Sequence, residues 1–414
     1  MSFLLIVPFV LILLAIALLP LIVPHWWEHN SNKALVALAL GAPVVGYLLL
    51  QGEAGWHRLQ HTLLEYMEFI VLLGSLYTIS GGIALRGDLQ ATPVVNGCFL
   101  GLGALLANLM GTTGASMLLI RPLLQTNAER RYVTHTIVFF IFLVSNIGGC
   151  LPPLGDPPLF LGYLRGVPFT WTLSLWPVWL TTVVLLLVLY GVWDTIMHAR
   201  ESPQALRLDR THLEPLRLQG SINFLFLGLV VTAVALVPAP WRMLLMLAAT
   251  GGSLLLGETV ARQTNQFTYA PIIEVAVLFL GIFLTMAPAL EFLDQYGASL
   301  GINTPARFFW ATGVFSSFLD NAPTYVTFFE TARAQASLTL GGTSVAGVPD
   351  SWLRAISLGA VFMGANTYIG NGPNFMVKAI TEEAGIKMPS FFGYMVYSGL
   401  ILMPLFVGMT LLMF

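Results

Sequence analysis

Charged residues are scarce in this chain of 414 residues: only 9% are Asp, Glu, Lys or Arg, whereas 57% are hydrophobic. A soluble globular domain has roughly 25% charged residues, so that class of protein is excluded. The net charge of -2 argues against a nucleic-acid partner, because such partners select basic surfaces. The two cysteines both lie in apolar surroundings, which gives no sign of a disulfide framework.

Sequence signatures of catalysis are missing as well. There is no GxxxxGK followed by Ser or Thr that would cradle a phosphate, so transport driven directly by ATP is not expected. The seven histidines are scattered, and no Cys/His cluster has metal-ligand spacing. We therefore predict neither an enzyme nor a resident cofactor.

Long apolar stretches are what the chain has in abundance. Runs of about 20 apolar residues, enough to span a bilayer, recur along the whole length. They predict an all-α polytopic membrane protein whose main partner is the lipid bilayer, and we expect it in a bacterial inner membrane. The N-terminal run at 3–23 is interpreted as a retained first helix, because no basic region precedes it.

One long polar stretch, residues 198–219, divides the chain into two halves. It contains four arginines, and the bias of positive charge toward the cytoplasm predicts a cytoplasmic linker. The predicted domains are N-terminal scaffold helices at 1–60, a first repeat at 61–197, this linker, and a second repeat at 220–414.

Short segments of the two halves match in the same order. GCLPPLGDPP aligns without a gap with GANTYIGNGP, which pairs Asp156 with Asn371. Upstream, ANLMGTTGAS aligns with DNAPTYVTFF, which pairs Asn108 with Asn321, and GSLYT aligns with GIFLT. Because many transporters contain inverted internal repeats, these matches predict two inverted structural repeats.

The aligned segments interrupt apolar runs with Gly and Pro. Proline costs roughly 3 kcal/mol inside a helix, and non-helical backbone at membrane depth is tolerated only where it is buried or lines a cavity. We predict discontinuous transmembrane helices broken at 148–158 and 364–373, whose half-helix ends can hold ions. We also predict hairpin tips at 111–116 and 316–327. Structural kinks, and asparagines that only link helices, are the alternatives.

Ionisable side chains at membrane depth are candidates for function. Asp320, in the second hairpin segment, is the first candidate. Asp156, in the first break, is the second, because its counterpart Asn371 is neutral. Since burial favours the neutral form of a carboxyl group, such a group can exchange a proton for a cation. We predict that Asp320 and Asp156 form a Na⁺ site, whereas three glutamates near the apolar runs could equally lie at a membrane interface.

The segments SNIGGCLPPLGDPP and SSFLDNAPT resemble signatures of the ion transporter superfamily, in its branch of sodium/proton antiporters, arsenite permeases and citrate-transporter-like proteins. The resemblance covers the chain from about residue 60. It implies a homodimer, two re-entrant hairpins, and elevator-type alternating access by a transport domain that moves against a scaffold. It further implies an ion- or substrate-binding site formed by Asn108, Thr112, Thr113, Asn146, Gly148, Gly149, Asp156, Asp320, Asn321, Thr324, Asn366 and Asn371.

Two functions follow from these residues. The first is a sodium/proton antiporter, in which membrane-embedded carboxylates exchange H⁺ for Na⁺, a small inorganic ion. The alternative is a Na⁺- or H⁺-coupled carrier of an oxyanion, of citrate, dicarboxylate or arsenite type. Dicarboxylate carriers of this superfamily have Ser-Asn-Thr at both hairpin tips. The corresponding ANLMGTTG and LDNAPT here depart from that pattern, which favours the antiporter.

Overall fold

The computed structural model describes residues 3–211, 213–337 and 344–414, of which 77% are helical. The predicted apolar runs form helices throughout these ranges. The α-helices, numbered in chain order, are α1 (Val7–Ile22), α2 (Pro24–Trp27), α3 (Asn30–Leu50), α4 (Glu53–Gly81), α5 (Pro93–Thr126), α6 (Thr134–Leu143), α7 (Pro157–Leu164), α8 (Trp176–His198), α9 (Pro203–Thr211), α10 (Asn223–Leu236), α11 (Trp241–Leu256), α12 (Thr259–Thr264), α13 (Ala270–Tyr296), α14 (Pro305–Phe318), α15 (Asn321–Ala336), α16 (Asp350–Met363), α17 (Gly372–Glu383) and α18 (Phe391–Met413).

Within the described ranges, six helical stretches are long and apolar enough to cross a membrane. They are Asn30–Leu50, Glu53–Gly81, Pro93–Thr126, Thr172–His198, Ala270–Leu293 and Phe391–Met413. Their outer faces are apolar too: Leu185, Val188 and Val192 of α8 are exposed, as side chains that face lipid would be. At this level the prediction of an all-α polytopic membrane protein is confirmed.

In the part of the chain that the structure describes, two small antiparallel sheets depart from a purely helical fold. β1 (Ala84–Asp88) pairs with β2 (Glu214–Gln219), and β3 (Ser344–Val345) pairs with β4 (Val348–Pro349). Because β2 follows α9 within the predicted linker, that linker is a folded segment. It is tied to the first half of the chain by the β1–β2 pairing.

Helix α5 is not a straight span, because the chain turns back at Gly111. This glycine has φ 77° and ψ 158°, a conformation that residues with a Cβ rarely adopt. Asn96 and Asn127 lie near the two ends of α5, yet they exchange side-chain hydrogen bonds of 2.9 and 2.8 Å. In a straight helix, 31 residues of separation would amount to about 46 Å. Residues 93–110 and 112–126 are therefore antiparallel arms, which we call the first hairpin.

Helices α14 and α15 form a second hairpin, which turns at Leu319 and Asp320. Its two arms pack together, and the rings of Phe315 and Phe328 lie 5.7 Å apart. Asp320 is the N-cap of α15 and accepts a hydrogen bond of 3.0 Å from the amide of Ala322. A polar N-cap of this kind satisfies a backbone donor that the helix leaves unpaired.

The most buried helices lie beside the two hairpins. Nine of the ten residues of α6 are buried, and most of α16 is buried as well. The helical path of both is interrupted before the chain resumes as α7 and α17. Both interruptions predicted from Gly and Pro are thus present, and they lie in the interior of the protein.

Candidate functional site

At the first break, backbone segments approach each other so closely that only glycine fits. A Cβ added to Gly155 would lie 2.2 Å from the carbonyl oxygen of Gly149, so these two positions can approach only without side chains. Gly148 is equally confined, because a Cβ there would lie 2.6 Å from the Cα of Ala104. The chain then enters α7 through Asp156, whose extended backbone (φ -141°, ψ 141°) makes it the N-cap.

The second break repeats this geometry at the aligned positions. A Cβ added to Gly370 would lie 2.5 Å from the carbonyl oxygen of Gly364, as at the Gly155–Gly149 pair. Asn371 has φ -153° and ψ 141° and is the N-cap of α17, as Asp156 is of α7. The pairing of Asp156 with Asn371 therefore reflects a shared backbone conformation.

The two hairpin turns correct the other predicted pairing. Thr112 and Asn321 are each the first residue after a turn, and both donate to Asp156. Four residues earlier, Asn108 accepts the amide of Leu151 at 3.1 Å, while Ser317 accepts Asn366 Nδ2 at 2.9 Å. Asn108 thus corresponds to Ser317. The predicted match with Asn321 is wrong by four residues, because aligning identical letters ignored the position of the turn.

Asp156 is the point where all four interrupted elements meet. Its Oδ1 accepts hydrogen bonds from Thr112 Oγ1 at 3.0 Å and from Asn371 Nδ2 at 3.1 Å. Its Oδ2 accepts from Asn321 Nδ2 at 2.5 Å. The residue is 1% exposed, so a carboxylate here depends on these three neutral donors in place of water.

A cavity of about 100 Å³ lies next to this cluster. On one side it is lined by the turn of the first hairpin, both breaks and Asp320, and on the other side by α4 and α13. None of its lining residues is Lys, Arg or His in the part of the chain that the structure describes. The cavity could hold about three water molecules, and it is smaller than the roughly 300–1,000 Å³ of sites for drug-sized ligands.

Four helical segments begin at the cavity: the 112–126 arm, α7, α15 and α17. Each helix N-terminus has the effect of about half a positive charge, which favours anions nearby. Aspartates occupy the N-cap positions of α7 and α15, and of these two only Asp320 accepts a capping hydrogen bond from its own helix. The site thus combines positive helix ends with two acidic side chains and no basic side chain.

Other predicted residues lie around this centre with different roles. Asn146 donates to Asn374 Oδ1 at 2.7 Å, and Thr113 lines the cavity. Thr324 donates to the carbonyl oxygen of Asp320 at 2.9 Å, so its hydroxyl is engaged within its own helix. The structure gives Asp156 the central contacts, whereas the sequence ranked Asp320 first.

Three buried amide oxygens around the site have no hydrogen-bond partner among the described residues. They are the Oδ1 atoms of Asn146, Asn321 and Asn366. An unpaired buried acceptor costs free energy, and amide oxygens are ordinary ligands of hard cations. These atoms are therefore the available neutral ligands for a cation.

The three glutamates near the apolar runs lie outside the site, each in an ion pair. Glu274 pairs with Lys33 at 2.9 Å, Glu65 pairs with Arg165 at 3.4 Å, and Glu68 pairs with Arg242. Because paired charges inside a helical body are commonly structural, we assign these glutamates no role in binding.

Asn374 is a site residue that the sequence reasoning missed. It is fully buried in α17 and links the two breaks. Its Oδ1 accepts from Asn146, and its Nδ2 donates to the carbonyl oxygens of Gly364 and Thr367, both at 2.9 Å. The available signal was a polar residue directly after the proline of the second break, where the first break has Leu159.

Comparison with known protein families identifies a match over the full length of the sequence. A family model described as "Putative citrate transport" matches residues 1–414, the whole chain. A search of curated proteins finds no match.

Proposed function

We propose that this chain, which belongs to the citrate transport family, is a secondary active transporter that carries a citrate-type carboxylate anion together with a cation. The observation that carries this proposal is the meeting of four helix N-termini at one cavity, which Asp320 lines and next to which Asp156 is buried. Because the protein is an integral membrane transporter, that cavity is the natural place for the solute.

The helix N-termini are the proposed anion-binding element. Carboxylate groups bind well to the free amides and positive dipole ends of helices, and broken membrane helices use this in other transporters. Asp156 and Asp320 would repel a bare anion, so the anion needs a cation between itself and these side chains. This requirement couples the two solutes.

The cation would be bound by carboxylate and amide oxygens. Asp156 and Asp320 supply the charge, and the unpaired oxygen of Asn321 lies on the residue that donates to Asp156. In the conformation described, the cavity of about 100 Å³ suits a small cation and a few waters. An anion of citrate size requires the cavity to widen.

Alternating access would provide that widening. The hairpins and breaks lie on one side of the cavity and α4 and α13 on the other, which is the arrangement needed for one group to slide past the other. The paired geometry of Gly149–Gly155 and Gly364–Gly370 supports two inverted repeats with re-entrant hairpins. We retain the elevator motion, the homodimer and the bacterial inner membrane as parts of this proposal.

A sodium/proton antiporter is the second candidate. It is favoured by the absence of basic side chains from the described lining of the cavity, because a site for an anion alone commonly has arginine. In that mechanism Asp156 and Asp320 exchange H⁺ for Na⁺ without an organic solute.

Reconstituted vesicles distinguish the two candidates. We expect proteoliposomes to accumulate radiolabelled citrate under an inward Na⁺ or H⁺ gradient, and empty liposomes not to. In the same vesicles, Na⁺ added without citrate should leave an imposed pH gradient intact. Collapse of that gradient by Na⁺ alone, with no citrate uptake, would establish the antiporter and reject the carrier.

A further inference from the structure

A second polar cavity, of about 470 Å³, lies at the base of the first hairpin. It opens near the loop that follows α5, at the end of the molecule where the β1–β2 sheet lies. We call it the Arg121 vestibule. Its polar lining residues are Arg121, Gln125, Asn127, Arg130, Gln266 and Glu383.

The walls of the vestibule connect it with the candidate site. Arg121 lies on the 112–126 arm, nine residues beyond Thr112, which corresponds to about 14 Å along a helix. The opposite wall is the C-terminal part of α17, the helix that begins at Asn371. Both helices start at the site and pack against each other. The vestibule therefore lies along the two helices that lead from the site to one end of the molecule.

Arg121 differs from the other arginines inside the helical body. Arg130 forms two hydrogen bonds to Asp194, of 3.0 and 2.6 Å, and Arg165 and Arg242 pair with glutamates. Arg121 makes no hydrogen bond or ion pair to any residue that the structure describes, and its buried Nε has no partner. A cation inside a membrane protein is tolerated when it is paired or faces a water-filled cavity. Arg121 is not paired with a described residue, but it faces a cavity.

We propose that the Arg121 vestibule is a second anion-binding site, which takes a carboxylate anion before or after it occupies the site at Asp156. Guanidinium groups bind carboxylates through two parallel hydrogen bonds. The identification of this anion as the transported solute rests on the proposed function. A vestibule that presents a free cation concentrates anions and repels cations, so it suits an anion carrier.

Two other charges face the vestibule. Arg130 is neutralised by Asp194 and also approaches Glu201 at 3.7 Å, so it adds little free charge. Glu383 is exposed, and no ion pair of 4.0 Å or less joins it to Arg121 in the described structure. The competing explanation is a loose pair between Arg121 and Glu383, bridged by water. If such a pair were the role of Arg121, substitution of either residue would have the same effect on citrate binding.

The test compares Arg121→Gln, Arg121→Lys and Glu383→Gln in the full chain, with calorimetric citrate binding and uptake as measurements. Loss of one charge-assisted interaction should raise the Kd and KM for citrate about tenfold in Arg121→Gln, with the maximal rate unchanged. Arg121→Lys should recover part of the affinity. Glu383→Gln should bind citrate as tightly as wild type or more tightly. Equal losses in Arg121→Gln and Glu383→Gln, or unchanged binding in Arg121→Gln, would overturn the proposal.

A second comparison separates this inference from the proposed function. In Asp156→Asn protein, citrate binding that remains belongs to the vestibule, and adding Arg121→Gln should reduce it about tenfold. If wild type transports no citrate but this difference persists, the vestibule is supported as an anion-binding site and citrate is rejected as the transported solute. If Asp156→Asn protein binds citrate equally well with and without Arg121, the vestibule is rejected even where transport is observed.

Discussion

The two breaks share a backbone conformation but differ in the charge of the residue at the start of the following helix. Gly149 and Gly155 in the first half, and Gly364 and Gly370 in the second, make the same close approach. Yet the residue that caps the following helix is a carboxylate in the first half and an amide in the second. Glycine therefore determines the shape of each break, while the cap residue determines its charge.

At the hairpin turns the ionisable side chain lies in the second half of the chain and not in the first. The first hairpin turns at Gly111, which has no side chain, and the second turns at Asp320, which is ionisable. Each half thus contributes one carboxylate, from its break in the first half and from its hairpin in the second. In the charge that they bring to the site, the two halves are complementary and not equivalent.

We expect the largest loss of uptake for Asp156→Asn, which removes the difference in charge between the two breaks. This change makes both caps neutral, and we expect citrate uptake to fall about 100-fold, the equivalent of roughly 2.8 kcal/mol. The fold should persist, because Asn321 can rotate its amide and present its unpaired oxygen to the new carboxamide. Uptake in proteoliposomes and thermal melting of the same preparation measure the two effects.

The control exchanges the caps, as Asp156→Asn combined with Asn371→Asp. It restores one carboxylate, but at position 371, whereas the hydrogen bonds of Thr112 and Asn321 are directed to position 156. We expect no recovery of uptake. Recovery would mean that the site is symmetric in function, contrary to the asymmetry described.

Alanine substitutions at the glycines of the two breaks test whether these glycines determine the backbone conformation. Gly155→Ala and Gly370→Ala should each destabilise the protein by about 1–3 kcal/mol, because a Cβ would overlap the backbone of the same break. Gly372→Ala is the matched control, since its Cβ would meet nothing within 4 Å. Equal melting temperatures for Gly370→Ala and Gly372→Ala would refute the close approach.

Asp320→Asn tests the carboxylate of the second half. Asparagine is as good an N-cap as aspartate, so stability should change by less than about 0.5 kcal/mol. Citrate uptake should fall about tenfold, less than for Asp156→Asn, because Asp320 caps its own helix and does not join the four elements. A larger loss at Asp320 than at Asp156 in a side-by-side uptake assay would reverse the ranking.

The smallest effects are expected at Asn108 and Ser317, the corresponding links between hairpin and break. Asn108→Ala removes the acceptor of the Leu151 amide, and Ser317→Ala removes that of Asn366 Nδ2. Each should cost about 1 kcal/mol, measured by thermal melting. If the two positions are not equivalent, one of these substitutions will leave the melting temperature unchanged.

The sequence was sufficient to predict the helical class, the two breaks and the pairing of Asp156 with Asn371. Gly and Pro inside apolar runs have a local cost that a single sequence displays directly. Both hairpin turns lie within the predicted segments 111–116 and 316–327, but the sequence did not identify the turning residues, because the non-helical φ and ψ of Gly111 are visible only in the structure.

Contacts between distant segments were out of reach. The link from Asn146 to Asn374 joins positions 228 residues apart, and no local pattern reports it. The hydrogen-bond partners of the two aspartates were hidden for the same reason, and the predicted ranking of Asp320 above Asp156 stays a prediction. A neutral counterpart made Asp156 look minor, although that counterpart is one of the donors that hold it.

Calorimetry measures whether Asp156 couples the cation to the anion. Citrate is titrated into purified wild-type and Asp156→Asn protein at low and high Na⁺, and at low and high pH. We expect one cation, Na⁺ or H⁺, to raise the citrate affinity of wild type about tenfold or more, and Asp156→Asn to abolish this dependence. An equal cation dependence in both proteins would contradict it.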